Sequence, residues 1–256
     1  MNNDLAIIIL AAGMGKRMGS PLPKVLSVAG EHSLIEHVLI TADKLNPLHE
    51  IVVIGHKGEL VNEAVLAGAK NNLYSEKVEF ALQKERLGTG DAVKSALPIL
   101  EDFIGTVLIL SGDVPLIKAE TLNTLLKTHN EQNATVTVLS MRVREENAYG
   151  RIVRDKDGYV SKIVEFKDCT DEEKNISEVN AGIYAVDSAF LKPALESLTN
   201  NNAQKEYYLT DIIEKAVKEG QIVAASLHED PSEFLGVNTP NDLEKIINEL
   251  EKRGRV

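Results

Sequence analysis

An aliphatic run, Leu5–Leu10, passes without a break into a loop of small residues and cations. The loop holds Ala11, Ala12, Gly13, Gly15, Lys16 and Arg17, and Lys24 follows two prolines. A short, continuously apolar run of this kind fits a strand buried on both faces, as strands of parallel sheets are. Small residues after such a strand let backbone N–H groups approach an anion, and the side chains supply positive charge. The chain carries a net charge of -11, yet its first 25 residues hold Lys16, Arg17 and Lys24 against one acid, Asp4. This local excess reads as a phosphate cradle.

The commoner nucleotide motifs do not fit the loop. A dinucleotide fingerprint G-x-G-x-x-G needs glycine where Met18 stands, and Gly19 comes one residue late. A P-loop, G-x-x-x-x-G-K-[ST], occurs nowhere in the chain. The alternative is a plain strand-to-helix turn that uses glycine for geometry, with solvated lysines. The three cations weigh against it.

At 256 residues, with 43% hydrophobic and 26% charged residues, the chain has the make-up of a globular α/β protein. No apolar run approaches the roughly 18 residues of a membrane span, and Asp4 interrupts any signal-peptide pattern. One cysteine, Cys169, excludes an internal disulfide and a multi-cysteine metal site. These features predict a cytoplasmic enzyme. The acidic balance, with 4% aromatics and no tryptophan, argues against nucleic-acid binding.

The first half alternates as βαβ units do. Strands are expected at Leu5–Leu10, Ile51–Ile54, Val78–Leu82 and Thr106–Leu110, with helical stripes at Leu34–Ala42 and Val61–Gly68 between them. That pattern predicts a doubly wound core over residues 1–133. From about 134 to 187 the texture is β-rich: Ala134–Met141, a hairpin of Arg151–Arg154 and Val160–Glu165 about Asp157-Gly158, and Asn180–Val186. We expect a smaller lobe there, inserted into or packed against the core. Residues 188–256 add helices near Ser188–Leu198 and Leu209–Glu219, a strand at Ile222–Leu227 and another at Phe234–Val237. A last helix is announced by Thr239 as N-cap, Pro240 and Asp242.

Asp113 follows the strand pattern Thr106–Ser111, at the carboxyl end where open α/β sheets bind ligands. Its carboxylate is a hard oxygen donor suited to Mg²⁺, and Asn238 occupies a similar place just before the Thr239 cap. Read singly, Asp113 can simply be part of a turn and an asparagine at 238 is more often a turn former; paired with Asp113 it becomes a second ligand. Gln83 both donates and accepts, so with the backbone at Gly88 and Thr89 it can read a pyrimidine edge, or else Gly88-Thr89-Gly90 is a helix cap beside an exposed glutamine. Tyr149-Gly150-Arg151, Glu165 and Asn180 fall in the β-rich region. Glutamate and asparagine are disfavoured in strands, which invites either a sugar-binding role or a wet sheet face. Cys169 and the six histidines show no nucleophile or metal spacing.

In order along the chain, LAAGMGKRM with PKVL, LGTGDAV, SGDVPLI, YGRIVR, IVEFKD, NAGIYAV, EYYLTDII and LGVNTPNDL are similar to bacterial N-acetylglucosamine-1-phosphate uridylyltransferases. The resemblance is to the pyrophosphorylase half of the bifunctional enzymes of this sugar nucleotidyltransferase family, and it runs from about Leu5 to Asn238. Each motif alone is shared across sugar nucleotidyltransferases; their order is the specific signal. The resemblance implies a Rossmann-like, doubly wound mixed α/β sheet with a smaller β-rich sugar-binding lobe. It also implies Mg²⁺-dependent conversion of UTP and N-acetylglucosamine 1-phosphate to UDP-N-acetylglucosamine, a peptidoglycan precursor, and pyrophosphate.

By the same resemblance, Leu10, Ala11, Ala12 and Gly13 hold the nucleotide, and Arg17 and Lys24 act on the triphosphate. Gln83, Gly88 and Thr89 recognise uracil, Asp113 and Asn238 bind Mg²⁺, and Gly150, Glu165 and Asn180 contact the sugar phosphate. Relatives often carry threonine at Lys16, glutamine at Arg86, histidine at Asp91, tyrosine at Ser111 and threonine at Ala181. Another sugar 1-phosphate such as glucose, or dTTP, therefore stays open as substrate, as does a non-catalytic nucleotide-sugar sensor. The bifunctional enzymes form trimers through a β-helix of hexapeptide repeats. None occurs in this sequence, so a monomer or weak oligomer is the expectation.

Overall fold

The computed structural model describes residues 4–143 and 147–254. The chain begins with β1 (Leu5–Leu10), a small hairpin β2 (Val28–Ala29) and β3 (His32–Ser33), α1 (Leu34–Asp43), β4 (His49–Ile54), α2 (Gly58–Lys70), β5 (Val78–Leu82) and α3 (Thr89–Ala96). It continues through β6 (Thr106–Ser111), α4 (Ala119–Glu131), β7 (Val136–Arg142), β8 (Arg151–Arg154), β9 (Val160–Val164), α5 (Asp171–Lys174) and β10 (Glu178–Asp187). The last elements are α6 (Ser188–Glu196), α7 (Asp211–Lys218), β11 (Val223–His228) and α8 (Pro240–Lys252).

The central sheet runs β11-β7-β10-β6-β1-β4-β5. Within this path β10 alone is antiparallel to its neighbours, so the sheet is mixed but mostly parallel. The continuous apolar character of β1 and β6 has a direct cause. Ile7, Ile9, Leu108 and Leu110 share a core with α1, α2 and α4, including Ile35, Val38, Val61, Val65 and Leu122. Ala6, Ile8, Val107 and Ile109 point the other way, into a second core with Val93 of α3, Leu191 of α6 and Ile212 of α7. Helices cover both faces, so the middle of each strand is dry and only end residues such as Leu10 and Ser111 are partly exposed. At roughly 1.5–3 kcal/mol per large aliphatic side chain, burying these strand residues is a main source of the fold's stability.

The stretch from 134 to 187 is divided by the sheet. β7 and β10 lie in its middle, with Tyr184–Asp187 laddered against β6. The β8–β9 hairpin stands off the main path and joins it through the pairing of Arg151 with Val179. β10 changes register between Asn180 and Tyr184, an irregularity that separates its hairpin-facing end from its core end. Two strand limits are corrected. β9 stops at Val164, and Glu165 opens a short 3₁₀ turn over Phe166–Asp168. Phe234–Val237 is not a strand: Asp230 accepts from Ser232 N, Pro231 follows, and this cap winds Pro231–Phe234 into a 3₁₀ turn. The residues after it make one backbone bond to the neighbouring loop, Val237 N to Asp113 O at 3.1 Å.

α8 begins where the sequence places it. Thr239 Oγ1 accepts from Asp242 N at 3.2 Å, and Asp242 Oδ2 accepts from Thr239 N at 2.9 Å, a complete capping box. Its Ile246 and Leu250 pack with Leu34, Leu116 and Val237 in a third apolar cluster. Leu116 lies just after Asp113, and Val237 just before Asn238. One small core therefore backs both loops.

Candidate active site

β1, β5 and β6 end on the same edge of the sheet, and β1 lies where the chain turns from building one wing of the sheet to building the other. Open α/β sheets bind ligands at that place. Leu10–Gly13, Gln83, Gly88, Thr89, Lys24 and Asp113 line one cavity there, of about 400 Å³. The cradle loop can turn back onto Lys24 because residue 15 is glycine. Gly15 has φ +58°, and a Cβ on it would stand 2.6 Å from the Cβ of Lys24. Gly88 meets a similar demand at φ +114°, where a Cβ would lie 2.6 Å from the Tyr207 carbonyl.

Gln83 continues β5 by donating its backbone N–H to Ile54 O at 2.8 Å. Its side chain is buried rather than exposed, with Nε2 donating to Gly88 O at 3.1 Å and to Asp91 Oδ2 at 2.8 Å. The Thr89 hydroxyl accepts from Leu209 N at 3.1 Å, tying the start of α3 to the segment before α7.

A second cavity, of about 230 Å³, contains Gly150, Glu165, Asn180 and Asn238, and shares Ser111 and Asp113 with the first. Asn180 Nδ2 donates to Tyr184 Oη at 2.6 Å and its Oδ1 accepts from Gly182 N at 2.8 Å, so the amide is fixed by its own strand. Thr210 Oγ1 donates to Glu165 Oε1 at 3.1 Å. Burial pushes the Glu165 carboxyl above its usual range; the Thr210 hydroxyl opposes this, while Asp211, Asp168 and Glu206 add to it. Burial likewise raises the Tyr149 hydroxyl, helped by Asp113 and Asp242.

Lys24 joins the two loops. Its Nζ donates to Asp113 Oδ2 and, at 3.1 Å, to Asn238 Oδ1. One ammonium thus stands between the two oxygens that the sequence offers as cation ligands. Among the described residues no group of three or more His, Cys, Asp or Glu side chains converges in metal-binding geometry. A pair of hard oxygens nevertheless suits a divalent ion that completes its shell with water or substrate phosphate. Arg17 is placed apart. It is exposed and lines a third cavity, of about 510 Å³, with Tyr149, Asn238, Asp242 and Lys245.

Three residues near these cavities escaped the sequence reading as site residues. Asp91 bonds Gln83, Glu233 anchors the loop before Asn238, and Lys245 faces the cavity that holds Arg17. Lys245 was reachable from pattern alone, since Asp242 and Lys245 lie on one face of α8 just past its cap. Glu233 acts through contacts between distant segments, and Asp91 through the way α3 folds back on the end of β5.

Over residues 6–252 the chain matches the family described as Nucleotidyl transferase. It is 44% identical over 254 residues to the bifunctional protein GlmU of Geotalea uraniireducens, covering 99% of this chain and 54% of that protein. It is 45% identical to the GlmU of Corynebacterium efficiens, covering 98% and 51%, and 42% identical to that of Lactococcus lactis subsp. lactis, covering 96% and 52%. The chain spans about half the length of the curated relatives it matches. Among solved structures, a UDP-glucose pyrophosphorylase complexed with UDP-glucose superimposes with a TM-score of 0.76 over 98% of this chain and 99% of that one. At 16% identity that is a likeness of fold. The family match takes in the loop after β1, the loops of Asp113 and Asn238 and nearly all of the central sheet, and the chain belongs to the nucleotidyl transferase family.

Proposed function

We propose that this chain transfers a uridylyl group from UTP to N-acetyl-α-D-glucosamine 1-phosphate, with Mg²⁺, giving UDP-N-acetylglucosamine and pyrophosphate. One observation carries the reading: two cavities share Ser111 and Asp113 as a common wall, and Asn238 lines the second. Joining two phosphorylated molecules calls for two pockets that meet at a cation-holding point. The likeness to proteins named GlmU supports the choice of substrates, for the half of their length that this chain spans.

In this reading the first cavity takes the nucleotide. Leu10–Gly13 bring backbone groups to it, and Gln83, Gly88 and Thr89 meet the base. The second cavity takes the sugar phosphate against Gly150, Glu165 and Asn180, with residues of about 134–187 forming that part of the site. The attacking phosphate is already anionic at neutral pH, so no general base is required. What opposes reaction is repulsion between two polyanions and charge gathering on the departing pyrophosphate. Lys24, bonded to Asn238, and Arg17, which lines a cavity with it, offset that charge.

Asp113 and Asn238 fit a divalent cation, because their oxygens already share one positive charge, the Lys24 ammonium. When bound there, Mg²⁺ supplies the charge neutralisation that lets the phosphates approach. Lys24 lines the first cavity, where its ammonium would hold the triphosphate.

Pyrophosphate release, followed over a panel of UTP, CTP and dTTP with N-acetylglucosamine 1-phosphate and glucose 1-phosphate, tests the proposal. The expected result is the highest kcat/KM for UTP with N-acetylglucosamine 1-phosphate, and no release without a divalent cation. A higher value for glucose 1-phosphate or dTTP would reassign the substrate. Tight binding without turnover would make the protein a sensor.

A further inference from the structure

Both hydrogens of the Gln83 amide are committed within the chain. Nε2 donates to the Gly88 carbonyl at 3.1 Å and to Asp91 Oδ2 at 2.8 Å, and the residue is 5% exposed. The two ends of a carboxamide are nearly alike in shape, so its partners decide which way it points. Here the partners are a main-chain carbonyl and a carboxylate, neither of which has a hydrogen to offer. Turning the amide over would set Oε1 against two oxygens in a buried place, which costs more than the loss of either bond. The orientation is therefore determined by chemistry. Oε1, an acceptor, is what Gln83 has left for the contents of the cavity it lines.

The two partners do not contribute equally. The Gly88 carbonyl also accepts from Ala92 N at 3.1 Å, as part of the first turn of α3. Asp91 lies in that same first turn, and its bond is the shorter of the two. Hydrogen bonds to a charged acceptor are also the stronger kind. Asp91 does not itself line the cavity, so whatever it does there passes through Gln83.

We propose that Asp91 is a specificity-determining residue: by holding Nε2 of Gln83 it presents an acceptor to the base, so that the cavity selects bases with an N–H at the ring edge and rejects those with a bare ring nitrogen. Uracil, with N3–H, satisfies Oε1. Cytosine sets the lone pair of its N3 against the oxygen of Gln83. This inference rests on the reading that the first cavity holds the base of UTP.

The test measures kcat and KM for UTP and for CTP, by pyrophosphate release at saturating N-acetylglucosamine 1-phosphate, on the full chain and its Asp91→Ala, Asp91→Ser and Asp91→Asn variants. Thermal melts check that each variant is folded. In Asp91→Ala and Asp91→Ser the UTP-over-CTP ratio of kcat/KM falls about tenfold, the worth of one charge-assisted hydrogen bond. The loss is carried by KM for UTP, with kcat nearly unchanged because the base is remote from the reacting phosphate. Asp91→Asn keeps an oxygen acceptor in the same place and restores most of the ratio. A wild-type ratio in folded Asp91→Ala and Asp91→Ser overturns the proposal, and so does an equal loss on both nucleotides, which is what a purely structural link between β5 and α3 would give. A wild-type chain that does not prefer UTP to CTP overturns the uridine reading itself and this inference with it. The two failures are thus distinguishable.

Discussion

Asp113 and Asn238 reach the same ammonium from loops built in different ways. Asp113 sits two residues beyond β6, a strand laddered to β1 on one side and β10 on the other. Gly112 N donates to Leu10 O at 2.9 Å, which carries the parallel ladder one step past the strand end. The sheet itself thus places this carboxylate. Asn238 has no strand behind it. Its loop is held by the Val237 N to Asp113 O bond, by Asn238 N donating to Asp242 Oδ2 at 3.1 Å, and by the buried Glu233. The Glu233 carboxylate accepts from Lys118 Nζ at 2.6 Å, Lys118 N at 3.3 Å and Thr121 Oγ1 at 2.7 Å, which pins the loop to the start of α4. One donor is positioned by the strand ladder of the central sheet, the other by a few polar bonds and the small apolar cluster around Val237. Substitutions remote from the site should therefore disturb the Asn238 side first.

The largest effect should come from the sheet-borne donor. Asp113→Asn is expected to lower kcat by about 10²–10³, the usual cost of losing one well-aimed charged group, with the melting temperature almost unchanged. Near-wild-type turnover in the folded variant would remove Asp113 from the reaction. Glu233→Ala should separate the loops. It strips Thr121 of its partner and frees the 3₁₀ turn, costing about 2–3 kcal/mol of stability and raising the Mg²⁺ concentration needed for half-maximal rate. If the metal requirement stays at the wild-type value, the Asn238 loop has another anchor and the contrast fails.

Lys24→Met reads both loops together. With the competing ammonium gone, Mn²⁺ bound in the absence of nucleotide, measured by paramagnetic resonance, should bind severalfold more tightly, even as turnover falls. Weaker Mn²⁺ binding would mean that the two oxygens do not share a cation. The smallest effect is expected from Thr239→Ala, which removes the cap of α8 but leaves Asp242 to hold Asn238 N. A loss of about 1 kcal/mol in a denaturant titration, with little change in rate, is the expected outcome. A large rate loss would show that the cap, rather than Glu233, places Asn238.

Much of this architecture was legible along the chain. The aliphatic runs at Leu5–Leu10 and Thr106–Leu110 announced strands covered on both faces, and Thr239-Pro240 with Asp242 announced α8. These signals are local: burial on two faces writes itself as an uninterrupted apolar run, and a cap is satisfied within four residues. The loop after β1 could be picked out as a cavity wall for a similar reason, since its small residues and cations follow one another directly. The partners of polar side chains were not. Lys24 meets Asp113 from 89 positions away and Asn238 from 214, and Glu233 reaches Thr121 across 112. Asp91 was in plain view only eight residues from Gln83, yet its bond depends on how α3 folds back against the end of β5. Arg17 and Lys24, seven residues apart, came to line different cavities, with the Gly19 turn and two prolines between them. Periodicity and capping are properties of a segment and survive being read one residue at a time. Which donor meets which acceptor follows from the order of the strands, and that order is settled by packing across the whole sheet.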